Sequence, residues 1–109
     1  SLYNPLANNF ARMLATAPPV NSGVTATTPV VVSLDRALTN AANLSSFVRC
    51  TTRTGTPIAV NLSVSGTDLT VSPTGSGWPS AFVLELNAGI PCADGTVFGT
   101  PMVLPFSLR

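Results

Sequence analysis

Apolar and polar residues alternate along much of this chain with a period of two. Ile58, Val60, Leu62 and Val64 alternate with Ala59, Asn61 and Ser63, and Ser65, Gly66, Thr67 and Asp68 then turn the chain into Leu69, Thr70 and Val71. Successive side chains on a strand point to opposite faces, so this stretch predicts a β-hairpin with one buried face. A second alternating run sets Phe82, Leu84 and Leu86 against Ala81, Val83, Glu85 and Asn87, between Trp78-Pro79 and Gly89. Further strands are expected over Pro29 to Leu34, Ser46 to Thr51 and Met102 to Leu108. In the last of these, Pro105 lacks the N–H that a ladder needs, which predicts an edge or irregular position.

Short strands at intervals of roughly 8–12 residues, punctuated by Gly and Pro, predict an all-β sandwich or barrel. One stretch departs from this pattern. Asn4 to Leu14 offers Asn4 as an N-cap, Pro5 at the first helical position, and Leu6, Phe10, Met13 and Leu14 on one helical face. Residues 1–14 are therefore expected to form a short N-terminal arm or helical turn outside a domain spanning 15–109. That arm either caps the domain or is donated to complete a partner's core or sheet edge.

Length and composition narrow the functions open to such a fold. The chain has 109 residues, enough for one domain with one core. It contains no His and no Lys; its charges are Asp35, Asp68, Glu85, Asp94 and five arginines. The charged fraction is 8% against a usual ~25%, while mean hydropathy is +0.41. General acid–base catalysis needs a group titrating near neutrality, and here no two carboxylates lie close in sequence. An enzyme would need the fold to bring Asp94 to Asp35 or Glu85. Arg12, Arg36, Arg49, Arg53 and Arg109 are scattered and form no basic stripe, which argues against nucleic acid as a partner. No apolar run approaches the about 18 residues that span a bilayer as a helix. Without an initiating Met or a signal region, the sequence reads as a processed form or an excised fragment.

Cys50 and Cys92 are far apart, neither lies in a CxxC pair, and no His is available to complete a zinc site. They are expected either to form a disulfide in an oxidising compartment or to be two small buried hydrophobes, and the Thr/Ser-rich, Lys-free composition favours the disulfide. Asp94-Gly95 suggests a turn; a calcium site needs about six or more oxygen ligands, and this region has a single carboxylate. Asn43-Leu44-Ser45 and Asn61-Leu62-Ser63 match the glycosylation sequon, a pattern common by chance in a Ser-rich chain.

Over about residues 15–109 the chain resembles the bacterial Ig-like domain of surface-layer and other large secreted proteins. Ala17-Pro18-Pro19-Val20-Asn21-Ser22-Gly23-Val24 is similar to that family's opening Pro, polar turn and Val. Leu34 to Leu38 and Asn43-Leu44 match the end of its next strand and the anchor that follows. Gly66, Leu69, Thr70, Val71 and Pro73, then Trp78, Ser80, Phe82, Leu84 and Leu86, follow its hairpin and alternating strand; Asp94-Gly95 and Phe106 match its final turn and strand. Phe82 stands where the family commonly has Tyr, so packing must hold that corner.

The resemblance implies an Ig-like sandwich of about seven strands. It also implies a non-catalytic structural or assembly role in an extracellular or cell-surface protein or filament, with other copies or neighbouring domains as partners and no cofactor. It places Cys50 and Cys92 in the same region of the sandwich, where a bridge could form. The alternative is an adhesive or carbohydrate-binding module using Trp78, Asn40, Asn43 or Asp94, although Trp78 is a lone Trp better read as a core plug.

Overall fold

The computed structural model describes residues 10–21 and 23–109. The short strands β1 (Phe10–Ala11), β2 (Met13–Ala17) and β3 (Gly23–Val24) come first. They are followed by β4 (Val30–Leu34), a 3-10 turn at Ala41–Asn43, β5 (Val48–Thr51), β6 (Val60–Ser65) and β7 (Asp68–Pro73). The described chain ends with β8 (Ala81–Leu86), β9 (Val97–Phe98) and β10 (Met102–Leu108).

Two four-stranded sheets face each other, ordered β2-β4-β7-β6 and β3-β10-β8-β5, and β1 pairs with β9 in a separate parallel pair. The fold is thus the expected all-β sandwich. Alternation decides which face turns inward. Val30, Val32, Leu34, Leu69 and Val71 of one sheet meet Phe82, Leu84, Leu86, Leu104 and Phe106 of the other, all buried. The residues between them in sequence form the outer faces, as period two requires.

The N-terminal expectation changes. Residues 10–14 are extended: Met13 pairs with Leu34 and faces inward, and the β2–β4 register slips between Met13 and Ala15. Leu14 is the extra residue of that bulge and is 68% exposed. Leu6 lies outside the described residues, and of Phe10 only the backbone pairing with Val97 is described. Met13 and Leu14 therefore belong to the sheet rather than to a detachable helical arm.

Pro105 is not at a sheet edge, since β10 runs between β3 and β8. Within a strand the N–H and C=O of one residue point the same way. The carbonyl of Pro105 accepts from the Asn21 N–H at 3.0 Å, on the flank where β3 reaches only Ser107 and Leu108. The missing N–H thus falls where the ladder has already ended, which is why a nearly central strand tolerates proline.

The connections cross between the sheets at two ends. At one end lie the β6–β7 turn, the 87–98 segment and the start of β2, joined by Leu38 N–H to Gly66 O, Ala93 N–H to Ala37 O and Asp35 N–H to Arg12 O. At the other lie the 74–80 segment and the end of β10, joined by Trp78 N–H to Ala26 O, Leu108 N–H to Ser80 O and Arg109 N–H to Val24 O. Gly77 sits there at φ +98°, and a Cβ at this position would run into the Ala26 backbone. Glycine is required here by both the conformation and the close approach.

Candidate functional site

Most groups able to carry chemistry converge on the end that holds the β6–β7 turn. Asp35 accepts the Arg12 N–H at 2.8 Å while its own N–H donates to the Arg12 carbonyl, a reciprocal tie that closes the start of β2 onto the end of β4. Asp94 accepts the Thr96 N–H at 3.0 Å and the Thr96 hydroxyl, the local bonding that makes Asp a turn former. The Arg36 guanidinium lies 3.7 Å from its other oxygen.

These bonds give Asp94 a defined electrostatic character. The Thr96 hydroxyl and then the Thr96 N–H hold its carboxyl below the ordinary value of 3.8, with Arg36 adding to the effect. A general acid needs a shift in the opposite direction. The fold does bring Asp35 to the same end as Asp94. Glu85 is elsewhere, on the outer face of its sheet, opposite Val103 on one side and Arg49 on the other. The arrangement ties loops together at an ion-paired end and favours the ionised form of Asp94.

The cysteines are not joined. Both are buried free thiols, and the disulfide expectation is corrected. Cys50 is opposite Leu84 in the middle of β8, whereas Cys92 lies beyond the end of that strand, bridging to Leu38 and donating its N–H to Thr96 O. Burial pushes the Cys50 thiol up to about 11. Burial also raises Cys92, partly offset by a hydrogen bond to Thr96. Both therefore behave as small core residues with protonated, weakly nucleophilic sulfurs. Among the described residues no group of three or more Cys, Asp or Glu side chains comes together.

Trp78 lies in the core and presents no ring face for a sugar. It stacks on Phe82 with centroids 4.0 Å apart and planes 8° off parallel, and Phe82 in turn stacks on Phe106 at 5.4 Å. The indole N–H donates to the Thr28 carbonyl at 2.6 Å, which satisfies the one polar atom such a plug carries. Asn40 is likewise used internally: its side chain accepts the Asn43 N–H and caps the 3-10 turn.

With these groups accounted for, the sheet faces and edges remain. The outer face of the β2-β4-β7-β6 sheet carries rows of small residues: Ala15–Ser33–Asp68–Ser65, then Ala17–Val31–Thr70–Ser63. The outer face of the other sheet carries Val103, 64% exposed, beside Pro105 and Val83. Sequence alternation located these faces but gave no means of seeing the Arg12–Asp35 tie or the Gly77–Ala26 approach, each of which joins residues from separate turns.

No family model and no curated protein matches the chain. Among solved structures it is similar to CopC from Methylosinus trichosporium OB3b, at a TM-score of 0.67 and 11% identity, over 91% of this chain and 93% of that one. At that identity the likeness shows a shared β-sandwich fold and nothing of function.

Proposed function

We propose that this chain is a non-catalytic structural module of an extracellular or cell-surface protein or filament, of the bacterial Ig-like kind, acting by packing against neighbouring domains or subunits. The observation that carries the reading is the pair of outer sheet faces, where Ala15, Ala17, Val31 and Thr70 on one sheet and Val83, Val103 and Pro105 on the other present uncharged side chains.

Other features support the same reading. Trp78, both cysteines, Asp35 and Asp94 are engaged in holding the body together. The outer faces offer small, mostly uncharged side chains, so packing them against another surface costs little desolvation. The adhesive alternative loses its main candidate, because the Trp78 ring is buried.

Labelling of intact cells with an antibody to the folded domain tests the location. The reading expects labelling before lysis; labelling only after lysis would contradict it.

A further inference from the structure

The edges of the two sheets differ in how they are closed. β3 is two residues long, β2 is bulged at Leu14, and β5 is flanked by the returning chain, with Ile58 N–H donating to Cys50 O and Thr51 bridging Pro57. β6 has none of these devices. It is six residues long, pairs on one side with β7, and among the described residues has no strand on the other. The 3-10 turn Ala41–Asn43 lies beside it without contributing a backbone hydrogen bond. It contains no charge and no proline, the residues that ordinarily blunt an edge. Its inward side chains Val60, Leu62 and Val64 are only half-buried although they adjoin the core.

We infer that the β6 edge is a self-association surface, on which β6 of a second copy adds antiparallel about a two-fold axis to make a continuous eight-stranded sheet. The inference rests on the packing role proposed above and names one partner and one surface for it. The second copy is favoured because the edge is complementary to itself. With the axis through Leu62, Val60 faces Val64 and Asn61 faces Ser63, so inward residues meet inward ones and outward meet outward, as pleating requires. The neighbouring register, centred on Ser63, preserves the same matching. A strand with one sign of charge would oppose itself in such a pairing, whereas β6 carries none. An isologous contact of this kind closes after two copies. A six-residue ladder falls short of the about 1,200 Å² of a standard stable interface, so the association is weak in dilute solution and grows where copies are crowded.

Sedimentation equilibrium of the full chain, from micromolar to near-millimolar concentration, tests this with two double variants at exposed outward positions. Asn61→Lys with Ser63→Lys places like charges across the axis in either register; Asn61→Glu with Ser63→Glu does the same with the opposite sign. The wild type is expected to dimerise, each variant alone to dimerise about tenfold or more weakly, and their equimolar mixture to recover a mixed dimer. Unchanged urea midpoints show that the variants fold, and rescue on mixing is a result that misfolding cannot mimic. A wild type monomeric throughout, variants that dimerise as the wild type does, or a dimer that depends on residues 1–9 but not on Asn61 and Ser63 would each overturn the inference. A dimer untouched by these substitutions would leave the packing role standing and move it to another face.

Discussion

Phe106→Ala tests whether the aromatic stack is the centre of the core. Phe106 is fully buried, in contact with Phe82, which itself lies against Trp78. Returning a side chain of this size to water costs about 1.5–3 kcal/mol in transfer alone. Losing the stacked partner adds about 0.5–1.5 kcal/mol, and the cavity adds more because two inter-sheet layers cannot collapse onto an alanine, for a total of about 3–5 kcal/mol. Against a stability of about 5–15 kcal/mol for a domain of this kind, that is a large fraction. With a urea m-value near 2 kcal/mol/M, a loss of 4 kcal/mol lowers the midpoint by about 2 M. Trp78 fluorescence is a natural probe, since the indole leaves the stack on unfolding, and Val103→Ala on the same strand is the control that should move the midpoint little. A loss below about 1 kcal/mol for Phe106→Ala would refute the assignment of this position to a close-packed core.

Three further outcomes follow from the geometry. In denaturant the chain should show two reactive thiols, and in the native state at pH 8 almost none, because burial pushes the Cys50 thiol up to about 11 and raises Cys92 too; no thiol in denaturant would restore the disulfide. Asp94 has a folded pKa below its ordinary 3.8, so its contribution to stability is present above 3.8 and is lost as pH falls through the lower folded value. Urea midpoints taken between pH 6 and pH 2 should accordingly show a smaller acid-side decline for Asp94→Asn than for the wild type. Gly77→Ala should destabilise more than Gly55→Ala: both sit at positive φ, at an ordinary cost of about 1–2 kcal/mol, but only the Cβ at Gly77 meets backbone. Equal losses would mean that the Ala26 approach is not tight.

Where residues on one face alternate regularly, the sequence announces the strand. The β6–β7 hairpin and β8 are legible in this way, and β4 as a short uninterrupted apolar run. Within the N-terminal stretch Met13 and Leu14 mislead because a bulge inserts Leu14 between Met13 and Ala15, breaking period two and making adjacent apolar residues resemble a helical stripe. Pro105 reads as an edge residue because sequence does not reveal that β3 is short enough to leave its flank open. The strands β1, β3 and β9 are two residues each and exist only through distant partners, so no local pattern marks them. The cysteines could be judged only by position, and the register puts Cys50 against the middle of β8 and Cys92 beyond its end. Of the candidate site, Asp94 as a turn residue and Trp78 as a core plug were readable from neighbours and chemistry. Thr96 and Thr28 as their counterparts, and Arg12 as that of Asp35, were not.

Photo-crosslinking in the native setting tests most directly whether the domain works by packing against protein neighbours. The chain lacks lysine, so amine-reactive reagents are of little use, and a photoreactive phenylalanine analogue at Thr70 or Val103 would probe each outer sheet face instead. The account predicts adducts with another copy or an adjoining domain from at least one face. Irradiation that yields no protein adduct at either position, together with saturable binding of a free sugar or other small ligand, would contradict it.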